Sequence, residues 1–386
     1  MRVLAACSLG GAGHLQPLLP LLAAAARRGD DVLVVAPPAL REMVTATGHA
    51  FEPGGEPAEA DIAPIRERLP VAPPDEASVL GNRDLFATLA AVAMGPRMEE
   101  IVAAWRPDLV LRDPCEYASA AVCTASGLPV ATVAISTAEG EARSIEVAAP
   151  ALEDLREGLV DEIHAMPYLT RFPASLDPSP FATTMRFREP ASVEVTPLPN
   201  WWAGVDAPLV YVTFGTVLGH MTIAADVFEV ALRAVGDLDV RALLTVGRAF
   251  DASALGVVPS SVHVEEWVDQ RQVLAVADAV VCHGGSGTVF GAMAAGVPVV
   301  VVPVFADQFE NAARVAARGA AVVVEGQPAS GDGRRTVISR DDTHRISAAI
   351  ERVLDDGSYR RRAGELAAEM ASYPSADHVL AGLLGR

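Results

Sequence analysis

Val281–Thr288 reads VCHGGSGT; it begins inside the apolar run AVVC and leads into the small-residue run VFGAMAAG. An unbroken apolar run of this kind predicts a strand buried on both faces, and the Ala-rich run behind it predicts a helix. A glycine-rich turn from strand into helix lets backbone N–H groups and the positive end of the helix dipole approach an anion, commonly a phosphate. Such a turn also serves close helix–sheet packing, and the stretch alone leaves both uses open. This one carries His283 and no lysine. The same plan recurs near the other end of the chain. There RVLAACS predicts a strand, LGGAGHLQP a glycine turn with His14, and the residues from Pro17 to Arg28 a helix.

Working outward from these two turns, strands alternate with helices in each half, the pattern of parallel sheets covered on both faces. In the first half, strands are predicted at RVLAACS, DVLVVA, HAFEP, DLVLRD and PVATVAI. Helices are expected near 39–47, 82–105 and 115–126. Residues 53–81, rich in Pro, Gly, Asp and Glu, read as a long loop. Residues 137–183 read as irregular, with one helical piece near 150–165. Residues 186–208 are Pro-rich and aperiodic, as a linker would be. The rhythm then restarts with strands at PLVYVTFGT, VRALLTVG, SVHVEEW, AVVCHGG, VPVVVVP and AAVVVEG. The expectation is an α/β protein of two Rossmann-like, doubly wound domains, 1–190 and 209–372. A last helix within 375–386 is expected to pack back on the first domain.

The chain has 386 residues, 51% hydrophobic and 20% charged, with a net charge of −19. That charge repels nucleic acid and anionic membrane surfaces as bulk partners. No apolar run reaches the roughly 18 residues of a membrane span. The tract LLPLLAAAA is followed, not preceded, by its charges Arg27 and Arg28, unlike a signal peptide. The expectation is a cytoplasmic protein, monomeric or homodimeric, with Cys7, Cys115, Cys123 and Cys282 reduced. All 30 basic residues are arginine. Without a lysine there is no Walker A motif and no Schiff base, which excludes P-loop NTPases and pyridoxal enzymes.

In the usual doubly wound order the fourth strand lies beside the first, and ligands bind where the order reverses. His14 follows strand one and Asp113 ends strand four, so two residues 99 positions apart are expected at neighbouring strand tips. A histidine and a carboxylate there make a base and its orienter. Read singly, His14 could equally cap a helix and Asp113 could be a solvated turn residue. In the second half Gly215-Thr216, His283–Thr288 and Asp307-Gln308 should converge in the same way. The hydroxyls of Thr216, Ser286 and Thr288 add donors for an anion, and Asp307 and Gln308 suit sugar hydroxyls. GGAGHLQ is not a dinucleotide fingerprint, no G-x-S-x-G occurs, and no Cys/His cluster in the sequence indicates a metal.

The run from Glu265 to Val324, EEWVDQRQVLAVADAVVCHGGSGTVFGAMAAGVPVVVVPVFADQFENAARVAARGAAVVV, closely resembles the donor-binding signature of nucleotide-sugar glycosyltransferases with the GT-B fold. Bacterial natural-product glycosyltransferases related to plant UDP-glycosyltransferases are the most similar group. VYVTFGT, LLTVGR, GHLQPLLPLL and LRDP extend the likeness. The resemblance implies two domains facing across a cleft and inverting transfer of a sugar from a dTDP- or UDP-linked donor to a hydroxyl of a hydrophobic small-molecule acceptor. It also implies no metal and no cofactor besides the nucleotide sugar. It gives His14 the role of base, with Asp113 behind it. Trp267 would stack on the nucleobase and the Val268 backbone would bond its edge, with Gln270 near the ribose. His283, Gly285, Ser286, Gly287 and Thr288 would hold the diphosphate with Thr216, and Asp307 and Gln308 the sugar. Gly291 stands where plant relatives carry a ribose-binding Glu, which leaves dTDP and UDP open. Phe86, Met166, Tyr168, Phe172 and Phe181 lie in or beside the two irregular stretches and are expected to meet the acceptor. A noncatalytic auxiliary partner and a GT-B-like nucleotide-sugar epimerase are the alternatives. An auxiliary tends to lose the base and the His-Gly-Gly turn, and an epimerase needs acidic groups where His14 stands.

Overall fold

The computed structural model describes residues 1–9, 11–69, 72–188, 197–215, 218–221, 223–305, 307–328 and 336–385. The chain divides into two compact units, Met1–Pro190 with Tyr373–Arg386, and Ala191–Ser372.

The first unit is built on a seven-stranded sheet of order β3-β2-β1-β4-β5-β6-β7, parallel throughout. Its strands are β1 (Arg2–Ala6), β2 (Asp31–Ala36), β3 (Ala50–Pro53), β4 (Leu109–Arg112), β5 (Val130–Val133), β6 (Tyr168–Thr170) and β7 (Thr184–Arg186). Val3, Leu4, Ala5 and Ala6 are wholly buried, as are Val110 and Leu111, which explains why these strands show no alternation. The order reverses between β1 and β4, where Ala6 pairs with Arg112 and the Asp113 N–H continues the ladder to the Ala6 carbonyl at 3.0 Å. Two helices, α1 (Ala12–Leu15) and α2 (Leu19–Arg27), follow β1. The last helix of the chain, Ala376–Leu383, returns to this unit. Its Val379 and Leu380 join the α2 side of the core, and Asp377 pairs with Arg27.

The second unit carries a six-stranded parallel sheet of order β10-β9-β8-β11-β12-β13. These strands are β8 (Leu209–Thr213), β9 (Arg241–Thr245), β10 (Val262–Glu265), β11 (Ala279–Cys282), β12 (Val299–Val301) and β13 (Ala321–Val323). The reversal falls between β8 and β11, where Thr213 pairs with Cys282. Residues 214–215 and 283–284 therefore leave adjacent strand tips.

Three expectations are corrected. Residues 53–81 are not a loop but hold the helices Glu59–Arg68 and Pro74–Ser78 and run into a 12-residue π-helix, Val79–Ala90. Glu59–Arg68 buries no residue, so it has no apolar stripe to read; the ion pairs Arg66–Glu59 and Arg68–Glu76 brace its surface. Residues 137–183 likewise hold an 18-residue helix, Ala138–Leu155, a second at Leu159–Ala165, and strand β6. The long helix buries Ala138, Glu141, Ala142, Ile145, Ala148 and Leu152, a regular helical stripe. Alanines carry much of it, and Pro150 within the helix reads as a breaker. Met166, Tyr168, Phe172 and Phe181 are at most 6% exposed, so these side chains fill the core and do not form an acceptor surface. Among the described residues no helix is long and apolar enough to cross a membrane, and all four cysteines are free thiols.

Candidate active site

At the β1–β4 reversal, His14 sits on the single turn of α1 and Asp113 lies immediately after β4. The His14 Nδ1 is 3.2 Å from Asp113 Oδ1. Asp113 is completely buried, and its two oxygens also accept the N–H groups of Ser8 at 2.6 Å and Cys115 at 2.7 Å. Burial pushes the Asp113 carboxyl up, but His14 and the two backbone donors outweigh it and hold the group below its ordinary value. A carboxylate facing Nδ1 makes that nitrogen the donor, so Nε2 is left as the basic nitrogen. Phe86, half-buried on the π-helix, sets its ring 5.7 Å from the His14 ring.

Sequence reasoning missed the residue that fixes this corner. Arg112 is wholly buried, and its guanidinium donates to the carbonyls of Glu116 (2.7 Å) and Pro114 (2.8 Å) and to the Thr132 hydroxyl (2.9 Å). It thereby pins the turn that carries Asp113 and Cys115. Its position on a buried strand is the signal, since an arginine there must find partners. Glu141, also buried, accepts the N–H groups of Ile135 and Ser136 and the Tyr168 hydroxyl, and burial pushes its carboxyl up to about 8.

In the second unit the turn after β11 is shaped by two glycines for different reasons. Gly284 has φ +92°, and a side chain there would also meet the Gln308 carbonyl and Val301. Gly285 needs room: a Cβ would fall 2.4 Å from His283 Nε2. On its other side the same ring lies against Gly215, where a Cβ would stand 2.9 Å from Cε1. The imidazole thus fills a slot between two glycines. The helix that follows, α12 (Ser286–Ala294), starts at Gly285 with no side-chain cap, so first-turn N–H groups such as that of Gly287 can meet an anion.

Thr288 is buried in the first turn of α12, and Asp307 is exposed at the start of the helix Gln308–Ala317. The Ser286 hydroxyl donates to Asp307 Oδ2 at 2.9 Å. Gln308 is only 3% exposed, and its amide oxygen accepts the N–H groups of Val304 and Phe305. Its amide nitrogen is therefore the part that can serve a ligand. Asn311, a further residue not singled out from sequence, donates to the Gly284 carbonyl (2.9 Å), Ser286 Oγ (3.0 Å) and Asp307 Oδ2 (3.1 Å), binding turn and helix together. Its place one turn into that helix, three residues after Gln308, was the available signal. Thr216 lies outside the described residues.

Trp267, after β10, is 54% exposed, with the Arg248 guanidinium 5.7 Å from its ring. Backbone bonds from Val246 and Gly247 to Glu265 and Glu266 hold the two loops side by side. Val268 follows, and Asp269 caps the short helix that Gln270 opens. A Cβ on Gly291 would fall 2.5 Å from Gln270 Nε2. The Gln270 amide thus takes the space that a larger side chain at 291 would need.

His283 is pushed down to about 4 by burial, which the Asp307 charge offsets only in part. The unfolded chain binds a proton near 6.5 and the fold does not. This contribution to stability is therefore complete above pH 6.5 and is lost as pH falls toward 4. Urea unfolding from neutral pH down to pH 4 should show His283→Gln losing less stability than the parent, by on the order of 2 kcal/mol. Parallel losses in the two proteins would contradict a neutral, half-buried His283.

Comparison with known proteins bears on the family and the fold. The family described as erythromycin biosynthesis protein CIII-like, C-terminal domain, matches residues 229–384. The chain is 32% identical to the L-demethylnoviosyl transferase of Streptomyces niveus over 99% of its own length and 97% of that protein's. Among solved structures, the glycosyltransferase SnogD from Streptomyces nogalater superposes with a TM-score of 0.76 at 25% identity, covering 100% of this chain and 99% of SnogD. The spinosyn rhamnosyltransferase SpnG, solved with thymidine diphosphate and with spinosyn aglycone, gives 0.78 in each case at 23% and 24% identity, covering 99% of this chain and all of SpnG.

Proposed function

Because the chain belongs to the natural-product glycosyltransferases of GT-B fold, we propose that it transfers a sugar, with inversion, from a dTDP- or UDP-linked donor to a hydroxyl of an apolar natural-product acceptor, using His14 as base. The observation that carries this reading is the buried Asp113 carboxylate facing His14 Nδ1 at the β1–β4 reversal. Asp113 holds the Nδ1–H tautomer, so Nε2 takes the proton from the acceptor hydroxyl. The acceptor oxygen bonds to the anomeric carbon as the bond to the diphosphate oxygen breaks. The proton remains on Nε2, where Asp113 stabilises the imidazolium. The departing diphosphate receives N–H donors from the first turn of α12 and from a neutral His283. The thymidine diphosphate in SpnG and the transferase activity named for the Streptomyces niveus relative support the donor class.

The direct test is a thermal-shift screen of nucleotide sugars and their diphosphates, then product analysis with the best donor. A β-linked product from an α-linked donor is expected. Retention of configuration would remove the single-displacement step.

Asp113→Asn should lower kcat on the order of tenfold or more. Three N–H donors converge on the two Asp113 oxygens, and an amide offers only one oxygen, so a donor is left facing the new NH2 and the His14 tautomer is no longer specified. Unchanged kcat in Asp113→Asn would contradict the orienting role. EDTA should leave turnover unchanged, because the leaving group is held by N–H donors; activity lost to EDTA and restored by Mg²⁺ would overturn that account.

A further inference from the structure

The turn between β4 and the helix Tyr117–Ala125 places a third coordinating group beside the His14–Asp113 pair. One ligand atom from each of His14, Asp113 and Cys115 lies within 4.8 Å of the other two. We propose that these three residues form a binding site for a thiophilic divalent cation of the Zn²⁺ class, and that occupancy of this site switches the transferase off. The inhibitory half of the proposal rests on His14 acting as the base; the binding half does not.

The ligand set has the chemistry of zinc. Imidazole nitrogen, thiolate sulfur and carboxylate oxygen in a three-ligand set, with a fourth place for solvent, match open tetrahedral zinc sites. One carboxylate and one thiolate also neutralise a divalent ion, which favours its retention in a part-buried site. Mg²⁺ and Ca²⁺ need several oxygens, and this cluster contains only one oxygen-bearing side chain. The surroundings are built to hold the ligands. Asp113 is oriented by the Ser8 and Cys115 N–H groups, and Arg112 braces the turn through the Pro114 and Glu116 carbonyls. The site is reachable, because the His14 side chain is 14% exposed and Cys115 is only half-buried. The ion itself supplies the charge that displaces the thiol proton.

The consequence for catalysis follows from which nitrogen is engaged. A cation between Nδ1 and Asp113 takes the Nδ1 lone pair, so the proton that Nδ1 carried passes to Nε2, and the Cys115 thiol proton goes to solvent. Nε2 then bears a proton and has no lone pair for the acceptor's, and the carboxylate that would stabilise the imidazolium is held by the ion, so Nε2 ceases to be a base. Cys115 takes no part in transfer. Its backbone N–H supports Asp113, and a serine at 115 keeps that bond.

The experiment uses reduced, full-length protein. Zn²⁺ at low micromolar free concentration should inhibit turnover, Mg²⁺ at the same concentration should not, and EDTA should restore activity. Co²⁺ as a spectroscopic probe should give thiolate-to-cobalt charge-transfer absorption in the near ultraviolet. Cys115→Ser, with a melting temperature and uninhibited turnover like the parent's, should lose that absorption and need on the order of 100-fold more Zn²⁺ for half-inhibition. Absence of the Co²⁺–thiolate band, or equal Zn²⁺ sensitivity in Cys115→Ser, overturns the site. A band that disappears in Cys115→Ser without any inhibition by Zn²⁺ overturns the switch and counts against His14 as base, while the binding site stands.

Discussion

His14→Ala is expected to lower kcat by about 10²- to 10⁴-fold, the usual share of general-base catalysis, while nucleotide diphosphate affinity stays unchanged. The expectation rests on how completely the histidine is specified. Asp113 is fully buried and is fixed by two backbone N–H groups before His14 is considered, and so oriented it faces Nδ1. That is the orientation a base requires, because it exposes Nε2 with its lone pair. A histidine that merely capped α1 would not need a buried charge at its back; no side chain caps this helix, and His14 lies in its last turn. The two parameters must be measured separately. Single-turnover rates at saturating donor report the chemical step, and calorimetric titration with the nucleotide diphosphate reports the grip. Near-normal turnover in His14→Ala removes His14 from the mechanism. Loss of diphosphate binding together with turnover would mean that the substitution disturbs more than the base.

The parts of the fold and site that were legible in the sequence are those where one residue type meets a steric or electrostatic demand. Unbroken apolar runs such as VLAA in β1 and AVVC in β11, each ending in a glycine-rich turn, read as strands buried on both faces, and from their order the reversal points follow. His14 and Asp113 could then be placed together across 99 positions without coordinates. What stayed hidden depends on partners that a local window does not contain. Glu59–Arg68 has no buried face, and Ala138–Leu155 spends alanines and a proline on its stripe, so both resemble loops. Arg112 and Asn311 act by hydrogen bonds to backbone carbonyls of nearby turns; a buried strand and a helix start mark their positions, but the shape of the turns they bind shows only in the fold. Four aromatics and Met166 of the first unit misled for a related reason. Large apolar side chains are as useful to a core as to a ligand, and only burial separates the two; of the five, Phe86 alone stays half-buried and beside His14.

His283→Ala is expected to weaken nucleotide diphosphate binding by about 1.5–3 kcal/mol, the range for a hydrogen bond to a charged partner, or roughly 10- to 150-fold in Kd. Turnover should fall as well, since the donor lost in the ground state is also lost to the leaving group. The histidine acts as a neutral donor, because burial keeps its proton-bound form out of reach until about pH 4. Affinity therefore comes from geometry, and the geometry can be attacked without touching the ring. Gly285→Ala puts a methyl group 2.4 Å from His283 Nε2, a separation no side chain tolerates, so the imidazole must leave the slot between Gly215 and Gly285. Gly285 is not in the left-handed region, so the alanine adds no backbone strain and the effect is steric alone. Calorimetry on both variants should show similar losses, and the double variant should lose little more than either one, because the two changes remove a single interaction. Fully additive losses would mean that Gly285 serves the diphosphate by its own close backbone approach, with His283 acting elsewhere. Unchanged affinity in His283→Ala would leave the α12 N–H groups as the whole of the grip and take the histidine out of it.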